Sequence, residues 1–157
     1  VSVQAIDFNG NILTIPSSDI KFQYRSSNLS KDLIFLSGTF KGNTSKKEII
    51  KKKIESLKIK KELSQPQRVK TGGSTFKNPI HQTNKKVWEL ISKSIDIKEV
   101  NKMFGDATLS IKHCNFLINK GKASSRDMKN LINFIKENVY KKTGVNLELE
   151  IILTSSK

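Results

Sequence analysis

The chain has 157 residues, 36% of them hydrophobic, and 29 lysines and arginines against 14 aspartates and glutamates give a formal net charge of +15. This apolar content excludes wholesale disorder, no apolar run approaches the roughly 20 residues of a membrane-spanning helix, and a single cysteine excludes a disulfide framework. The charge suggests nucleic acid as a partner, but only three basic residues are arginines and the positive excess is spread along the chain. We therefore expect neither nucleic-acid nor membrane binding.

A few residue types indicate the compartment and exclude a metal. One cysteine, Cys114, fits a reducing cytoplasmic compartment, and the alternating N-terminus lacks the continuous apolar segment of a signal peptide. His81 and His113 are too few and too scattered to indicate a metal site. We expect a cytoplasmic protein without a metal ion.

The beginning of the chain predicts a β-hairpin and a further strand. Residues 1–8 and 11–15 are strand-like and flank Asn9-Gly10, a dipeptide typical of hairpin turns. Residues 22–28 predict a loop. Residues 33–41 predict a buried strand.

A lysine-rich helix is predicted next, ending at Ser64-Gln65-Pro66. Ile50, Ile54 and Leu57 recur at helical spacing, and most other positions are lysine. We interpret the lysines as the solvated face of an amphipathic helix. Nucleic-acid or membrane binding is the alternative, but the helix has no aromatic residue for base stacking. Its end marks the expected domain boundary, between residues 1–63 and 64–157.

The second part of the chain alternates between helical and extended patterns. A helix is predicted over residues 84–95, and residues 107–119 predict a strand pair or a loop and a strand. The residues expected on the inward face of that helix are Val87, Trp88, Ile91 and Ile95.

A longer helix and an alternating segment complete the chain. Ser124 and Asp127 stand at capping-box spacing, and Gly144 is a natural C-terminal cap. The alternation from Val145 to Leu153 predicts a half-buried strand. The fold class is therefore predicted to be α+β.

The segment Thr71–Pro79 is the best candidate for chemistry. Two glycines allow close approach of the backbone to a ligand, and a hydroxyl, a cation and a carboxamide follow them. Their donors suit a phosphate or a polar sugar, although the spacing is not that of a Walker loop. The residues alone leave open whether this is a ligand loop or an ordinary glycine-rich turn.

Three further positions carry two interpretations each. Arg25 suits a carboxylate or a phosphate, or else a surface ion pair. Glu148 and Glu150 are a catalytic pair or two solvated carboxylates on one strand face.

Five strings, in this order, resemble the UDP-N-acetylenolpyruvoylglucosamine reductase family, and in particular its shorter subtype. The resemblance spans essentially the whole chain, although residues 92–104 lack the family's usual Ala-Gly-Leu pattern. The strings are FQYRSS at 22–27, SQPQRVKTGGS at 64–74, GGSTFKNP at 72–79, GDATLSIKHCNFLINKGKASSRDMKNLI at 105–132 and GVNLELEI at 144–151.

The resemblance implies a flavoenzyme of peptidoglycan synthesis that uses FAD and NADPH to reduce an enolpyruvyl UDP-sugar. Residues 1–63 would be the C-terminal remnant of an FAD-binding domain (hairpin, strand and helix), and residues 64–157 an α+β substrate-binding domain. The family's N-terminal half, which binds most of the FAD, is not part of this sequence. We expect a monomer.

The resemblance also assigns roles to individual residues. Arg25 would stabilise charge at the substrate carboxylate and contact the cofactor, and Ser74 would be the general acid. Glu150 would be the second catalytic acid, with Glu148 as the alternative. The substrate contacts would be Tyr24, Lys77, Asn78 and His113, and Cys114 would be a packing residue. A non-catalytic sugar-nucleotide-binding protein is the competing interpretation.

Overall fold

The computed structural model describes residues 1–154, which form two compact units, Val1–Ile50 and the part from Lys51 onward. Short strands and helices are mixed in the chain, so the predicted α+β class is confirmed. The domain boundary expected between residues 63 and 64 stays a prediction.

A three-stranded antiparallel sheet organises the first unit. Its strands are β1 (Ser2–Ile6), β2 (Ile12–Pro16) and β5 (Ile34–Thr39), in the order β2-β1-β5. The predicted hairpin at Asn9-Gly10 is confirmed, because β1 and β2 pair around it and Gly10 has φ +86°. The Asp7 carboxylate accepts hydrogen bonds from Asn11 and from the backbone of Asn9, which holds the turn and lowers the pKa of Asp7.

Two predictions for this unit are wrong. Residues 22–28 are not a simple loop but contain a small hairpin, β3 (Phe22–Gln23) and β4 (Ser26–Ser27). Strand β5 is exposed instead of buried, with Phe35 at 55% exposure. The physical reason is that Ala5 and Ile20 are the buried hydrophobic residues of this unit, so no core layer formed by residues 1–154 covers the sheet.

Helix α1 (Lys47–Ser64) forms where it was predicted, but its apolar stripe is uncovered. Ile50, Ile54 and Leu57 are each 44–57% exposed, and no residue of the helix is buried. The sequence pattern is amphipathic, whereas the described residues bring no apolar surface against it.

The second unit contains three helices and a strand pair around one core. The helices are α2 (Val87–Ser94), α3 (Ile97–Met103) and α4 (Ser125–Thr143), and the strands β6 (Ala107–Leu109) and β7 (Leu117–Asn119) pair antiparallel. Residues 97–103, in the segment that departs from the family pattern, are helical because the Asp96 side chain accepts from the amides of Lys98 and Glu99.

The caps predicted for the long helix are confirmed. Ser124 and Asp127 form a reciprocal capping box at the start of α4, and this bond lowers the pKa of Asp127. Gly144 ends the helix in the left-handed conformation, with φ +71°. These contacts fix both ends of the helix that forms one side of the core.

The packing of the helices corrects one sequence assignment. Helix α2 buries Val87, Leu90 and Ile91, while Trp88 is 45% exposed, so the inward assignment of Trp88 is wrong. Residues 87, 90 and 91 share one face of a helix, and residue 88 lies about 100° around the axis from residue 87. The α4 residues packed into the core are Leu131, Ile132, Ile135 and Val139.

The alternating segment at the end of the described chain is extended but is not a regular strand. Val145 and Leu147 are buried and Ile151 packs partly against the core, as the alternation predicts, but Leu153 is exposed. The segment pairs through the single bridge Phe76–Leu149 instead of a ladder, so the predicted strand is wrong. Within residues 1–154, no helix has the length and hydropathy needed to cross a bilayer.

Candidate active site

The loop before Ser74 depends on one glycine. Gly73 has φ +85°, a conformation that side chains with a Cβ rarely adopt, and its amide donates to Thr71 Oγ1 at 3.2 Å. A Cβ on Gly72 would meet Ile151 Cγ2 at 3.5 Å, an ordinary contact. The turn into the candidate site therefore requires Gly73 and tolerates a side chain at position 72.

Two other segments hold the backbone after this turn. Ser74 forms an antiparallel bridge with Phe116, and Phe76 forms one with Leu149. The amide of Glu150 donates to Thr75 O at 2.9 Å, and the amide of Lys77 donates to Glu148 O at 2.9 Å. The fold thus brings the backbones that carry Ser74, Lys77, Glu148 and Glu150 onto adjoining segments.

Sequence reasoning missed Asn115, which makes three hydrogen bonds to the segment after Ser74. Its backbone oxygen accepts from the Thr75 amide at 2.8 Å, its Oδ1 accepts from the Phe76 amide at 2.9 Å, and its Nδ2 donates to Phe76 O at 2.9 Å. Asn115 is 3% exposed. The available signal was a carboxamide between Cys114 and Phe116, in a stretch predicted to be extended and largely apolar.

The two glutamates of the terminal segment have different surroundings. Glu148 is exposed, and its Oε2 lies 3.6 Å from Lys77 Nζ. Glu150 is half-buried between Leu149 and Ile151, which both pack partly against the core. Of the two residues, Glu150 is therefore the less exposed, and Glu148 faces a cation.

Asn78 supports the start of a helix. Its Oδ1 accepts from the amide of Val87, the first residue of α2, at 3.1 Å. Lys86 occupies the N-cap position of this helix, and Asn78 supplies an acceptor from outside the helix. Substrate binding by Asn78 stays a prediction, beside this observed structural contact.

His113 lines a cavity of about 420 Å³ that Ser74 does not line. Its Nδ1 is buried without a hydrogen-bond partner among the described residues, and its ring packs edge-on against Phe116 with centroids 5.1 Å apart. Burial lowers the pKa of His113, so the neutral imidazole is favoured.

Cys114 is a packing residue, as expected. It is buried, its Sγ donates to Trp88 O at 3.1 Å, and burial raises the pKa of its thiol to about 11. This environment opposes formation of a nucleophilic thiolate.

Tyr24 and Arg25 form the turn of the small β3–β4 hairpin in the first unit. Arg25 has φ +58°, and its guanidinium carbon lies 5.2 Å from the centroid of the Tyr24 ring. A non-glycine residue in this conformation costs roughly 1–3 kcal/mol, and such strain clusters at functional sites. No group of three or more histidine, cysteine, aspartate or glutamate side chains suited to a metal ion occurs within residues 1–154.

Comparison with known proteins connects this geometry to one family. Residues 65–154 match the family described as UDP-N-acetylenolpyruvoylglucosamine reductase, C-terminal domain. Relatives with that enzyme name from Pelagibacter ubique and Rickettsia typhi are 55% and 41% identical over 151 residues. Each alignment covers 96% of this chain and 49% of the relative, so the chain spans about half the length of these relatives.

A solved structure gives the same result for the fold. The crystal structure of UDP-N-acetylenolpyruvylglucosamine reductase from Thermus caldophilus matches with a TM-score of 0.71 and 27% sequence identity. The match covers 95% of this chain and 50% of that chain.

Proposed function

This chain belongs to the UDP-N-acetylenolpyruvoylglucosamine reductase family, and from that premise we propose that it forms the substrate-binding part of an oxidoreductase of peptidoglycan synthesis. The proposed reaction is the NADPH-dependent reduction of UDP-N-acetylglucosamine enolpyruvate to UDP-N-acetylmuramate. The observation that carries the proposal is the backbone of Ser74, fixed between residues 115–116 and 149–150 inside the region that matches the family.

We assign residues 1–63 to the end of an FAD-binding domain and residues 64–157 to the substrate domain. The uncovered sheet and the uncovered stripe of α1 support this assignment, because relatives of about twice the length have further chain to cover them. We further propose a cytoplasmic monomer, in which the net positive charge attracts anionic UDP-sugar and NADPH.

The hydrogen-bond donors of residues 1–63 suit only some of the groups of FAD. Arg25 offers a planar guanidinium to an anionic or carbonyl group, but Gly10, Gly38 and Gly42 are isolated glycines and form no glycine-rich phosphate loop. We therefore assign one cofactor contact to this chain, Arg25. The 157 residues alone are expected to bind FAD weakly or not at all and to show no turnover.

The remaining roles concern protons and charge. Bound NADPH and FAD supply the hydride that reduces the enolpyruvyl group. Ser74 Oγ donates the one proton that the reduction consumes to the substrate α-carbon as general acid, and Glu150, the second catalytic acid, is the carboxyl group that acts together with Arg25. Arg25 stabilises the charge that develops at the substrate carboxylate. The substrate-binding residues are Tyr24, Lys77, Asn78 and His113.

The test uses a full-length protein in which this chain follows the remaining half of the Pelagibacter ubique relative. Ser74→Ala should lower the rate of product formation by about 10²- to 10⁴-fold and leave NADPH-driven flavin reduction intact, since the latter needs no substrate proton. Ser56→Ala is the control, because its hydroxyl donates within α1, to Lys53 O at 3.0 Å. Undiminished product formation by Ser74→Ala would remove Ser74 from the acid role.

Binding of a sugar nucleotide without redox chemistry is the second candidate for the isolated chain. It is favoured because residues 65–154 match the C-terminal domain and the chain spans only about half the length of the relatives. Calorimetric titration of the 157 residues with UDP-N-acetylglucosamine tests it, and heat of binding without any flavin in the preparation is the expected result.

A further inference from the structure

Just after Ser74, the side chain of Asn115 makes the two backbone hydrogen bonds that a neighbouring β-strand would otherwise make. Its carboxamide accepts from the amide of Phe76 and donates to the carbonyl of the same residue, each at 2.9 Å. We propose that Asn115 is the positioning residue for the hydroxyl of Ser74. This inference rests on the proposed function, in which that hydroxyl is the proton donor.

Because the contact is buried, neither water nor a smaller side chain can make the two hydrogen bonds of the Asn115 carboxamide. Phe76, Thr75 and Asn115 are 1%, 2% and 3% exposed, so water cannot take over the bonds. Alanine at position 115 leaves a buried N–H and a buried C=O without partners. Aspartate keeps the acceptor for the amide of Phe76 but places a second acceptor against the carbonyl.

The position of Ser74 depends on its C-terminal side because the residue before it is conformationally permissive. Gly73 has φ +85° and carries no Cβ. The backbone immediately before Ser74 is therefore not restrained by a side chain. After Ser74, the amide of Thr75 donates to Asn115 O at 2.8 Å and Phe76 is clamped on both backbone groups. Asn115 therefore acts on the donor through the backbone and without contact to the substrate.

A second asparagine in the same unit provides a matched control. Asn101 accepts from the amide of Leu109 at 2.7 Å and donates to the carbonyl of Leu109 at 2.9 Å. This is the same two-bond clamp on strand β6, on a backbone that does not include Ser74. Asn101→Ala removes the same two kinds of bond from a part-buried position and reports the structural effect of losing such a clamp.

The experiment is a double-mutant cycle in the full-length protein described above. Asn115→Ala should lower kcat for product formation by about 10- to 100-fold, as a small misplacement of a catalytic group does, with KM for the UDP-sugar nearly unchanged. In the Ser74→Ala background the same change should lower kcat by less than about 3-fold, because the group it positions is already gone. Asn101→Ala should leave kcat within about 3-fold in both backgrounds.

A readout without activity accompanies the cycle. Hydrogen exchange of the 157-residue chain should show the Phe76 amide losing protection in Asn115→Ala and the Leu109 amide losing protection in Asn101→Ala. Where Asn115→Ala does not fold, Asn115→Gln replaces it in the same cycle, since it keeps the acceptor and the donor but displaces them by one methylene group.

Each outcome decides the question. Loss of rate in Asn115→Ala that disappears in the Ser74→Ala background supports the inference. Equal losses in both backgrounds, an unchanged kcat, or retained protection of the Phe76 amide overturns it. Undiminished product formation by Ser74→Ala would instead contradict the proposed function itself. This result is distinguishable because that variant leaves position 115 unchanged.

Discussion

The ammonium group of Lys77 lies 3.6 Å from Glu148 Oε2, on two segments that are also joined by the hydrogen bond from the Lys77 amide to Glu148 O. Both side chains are solvent-accessible, at 39% and 73% exposure. An exposed ion pair of this kind contributes only about 0–1 kcal/mol to stability. The pair therefore contributes little to the stability of the fold.

We predict that removing the charge of Lys77 weakens ligand binding and that removing the charge of Glu148 does not. Lys77→Met should weaken binding of UDP-N-acetylglucosamine by about 10-fold or more, because it removes a charged donor. Glu148→Gln should leave the affinity unchanged or improve it, because it removes a negative charge next to an anionic ligand. Calorimetric titration checks both variants, and equal weakening by the two would contradict the role of Lys77.

The two adjacent glycines should differ sharply in their tolerance of a side chain. Gly73→Ala should lower the free energy of unfolding by about 1–2 kcal/mol, because alanine is strained at φ +85°. Gly72→Ala is the matched control and should stay within about 0.5 kcal/mol, since its Cβ makes only an ordinary contact. Urea unfolding of the second unit measures both. Similar losses in the two variants would refute the assignment of the turn to Gly73.

The thiol of Cys114 should be unreactive in the folded chain. Its pKa of about 11 leaves very little thiolate at neutral pH, and its Sγ is buried against Trp88 O. Alkylation by iodoacetamide at pH 7.5, followed by mass spectrometry, should be at least about 100-fold slower in the native protein than in urea. Comparable rates in the two conditions would show that the thiol is accessible.

Acidification should destabilise the fold through His113. Burial lowers the pKa of its imidazole below the ordinary value of 6.5, so below about pH 6.5 the unfolded chain binds the proton more readily than the folded chain. Stability is therefore complete above the unfolded pKa and falls as the pH drops through the folded pKa.

Urea unfolding at pH 7.5, 6.5 and 5.5 measures this effect. His113→Asn should flatten the decrease between pH 6.5 and 5.5, whereas His81→Asn, at an exposed position, should retain it. A decrease of the same size in His113→Asn and in the unmodified chain would assign the pH dependence to other groups.

Elements set by local chemistry could be predicted from the sequence. The Asn9-Gly10 turn and the caps of α4 at Ser124 and Gly144 involve residues within four positions of each other, so their signals are contained in short strings. The resemblance to the family likewise located the loop at Ser74.

Features set by distant partners could not be predicted in this way. The Asn115–Phe76 clamp joins residues 39 positions apart, and nothing near Asn115 specifies its partner. The alternation after Val145 indicates which residues face the core but not that the segment pairs at only one bridge. Trp88 was placed inward by its hydrophobicity, although the helix period puts Leu90 there.

The uncovered sheet of the first unit has a practical consequence for handling the isolated chain. Strands β2 and β5 are the free edges, and β5 carries Ile34, Phe35 and Leu36, each more than half exposed. A free edge with exposed apolar side chains is a template for pairing with another copy of itself. The isolated 157 residues are therefore prone to aggregation, and co-expression with the N-terminal half of a full-length relative is the rational route to a well-behaved preparation.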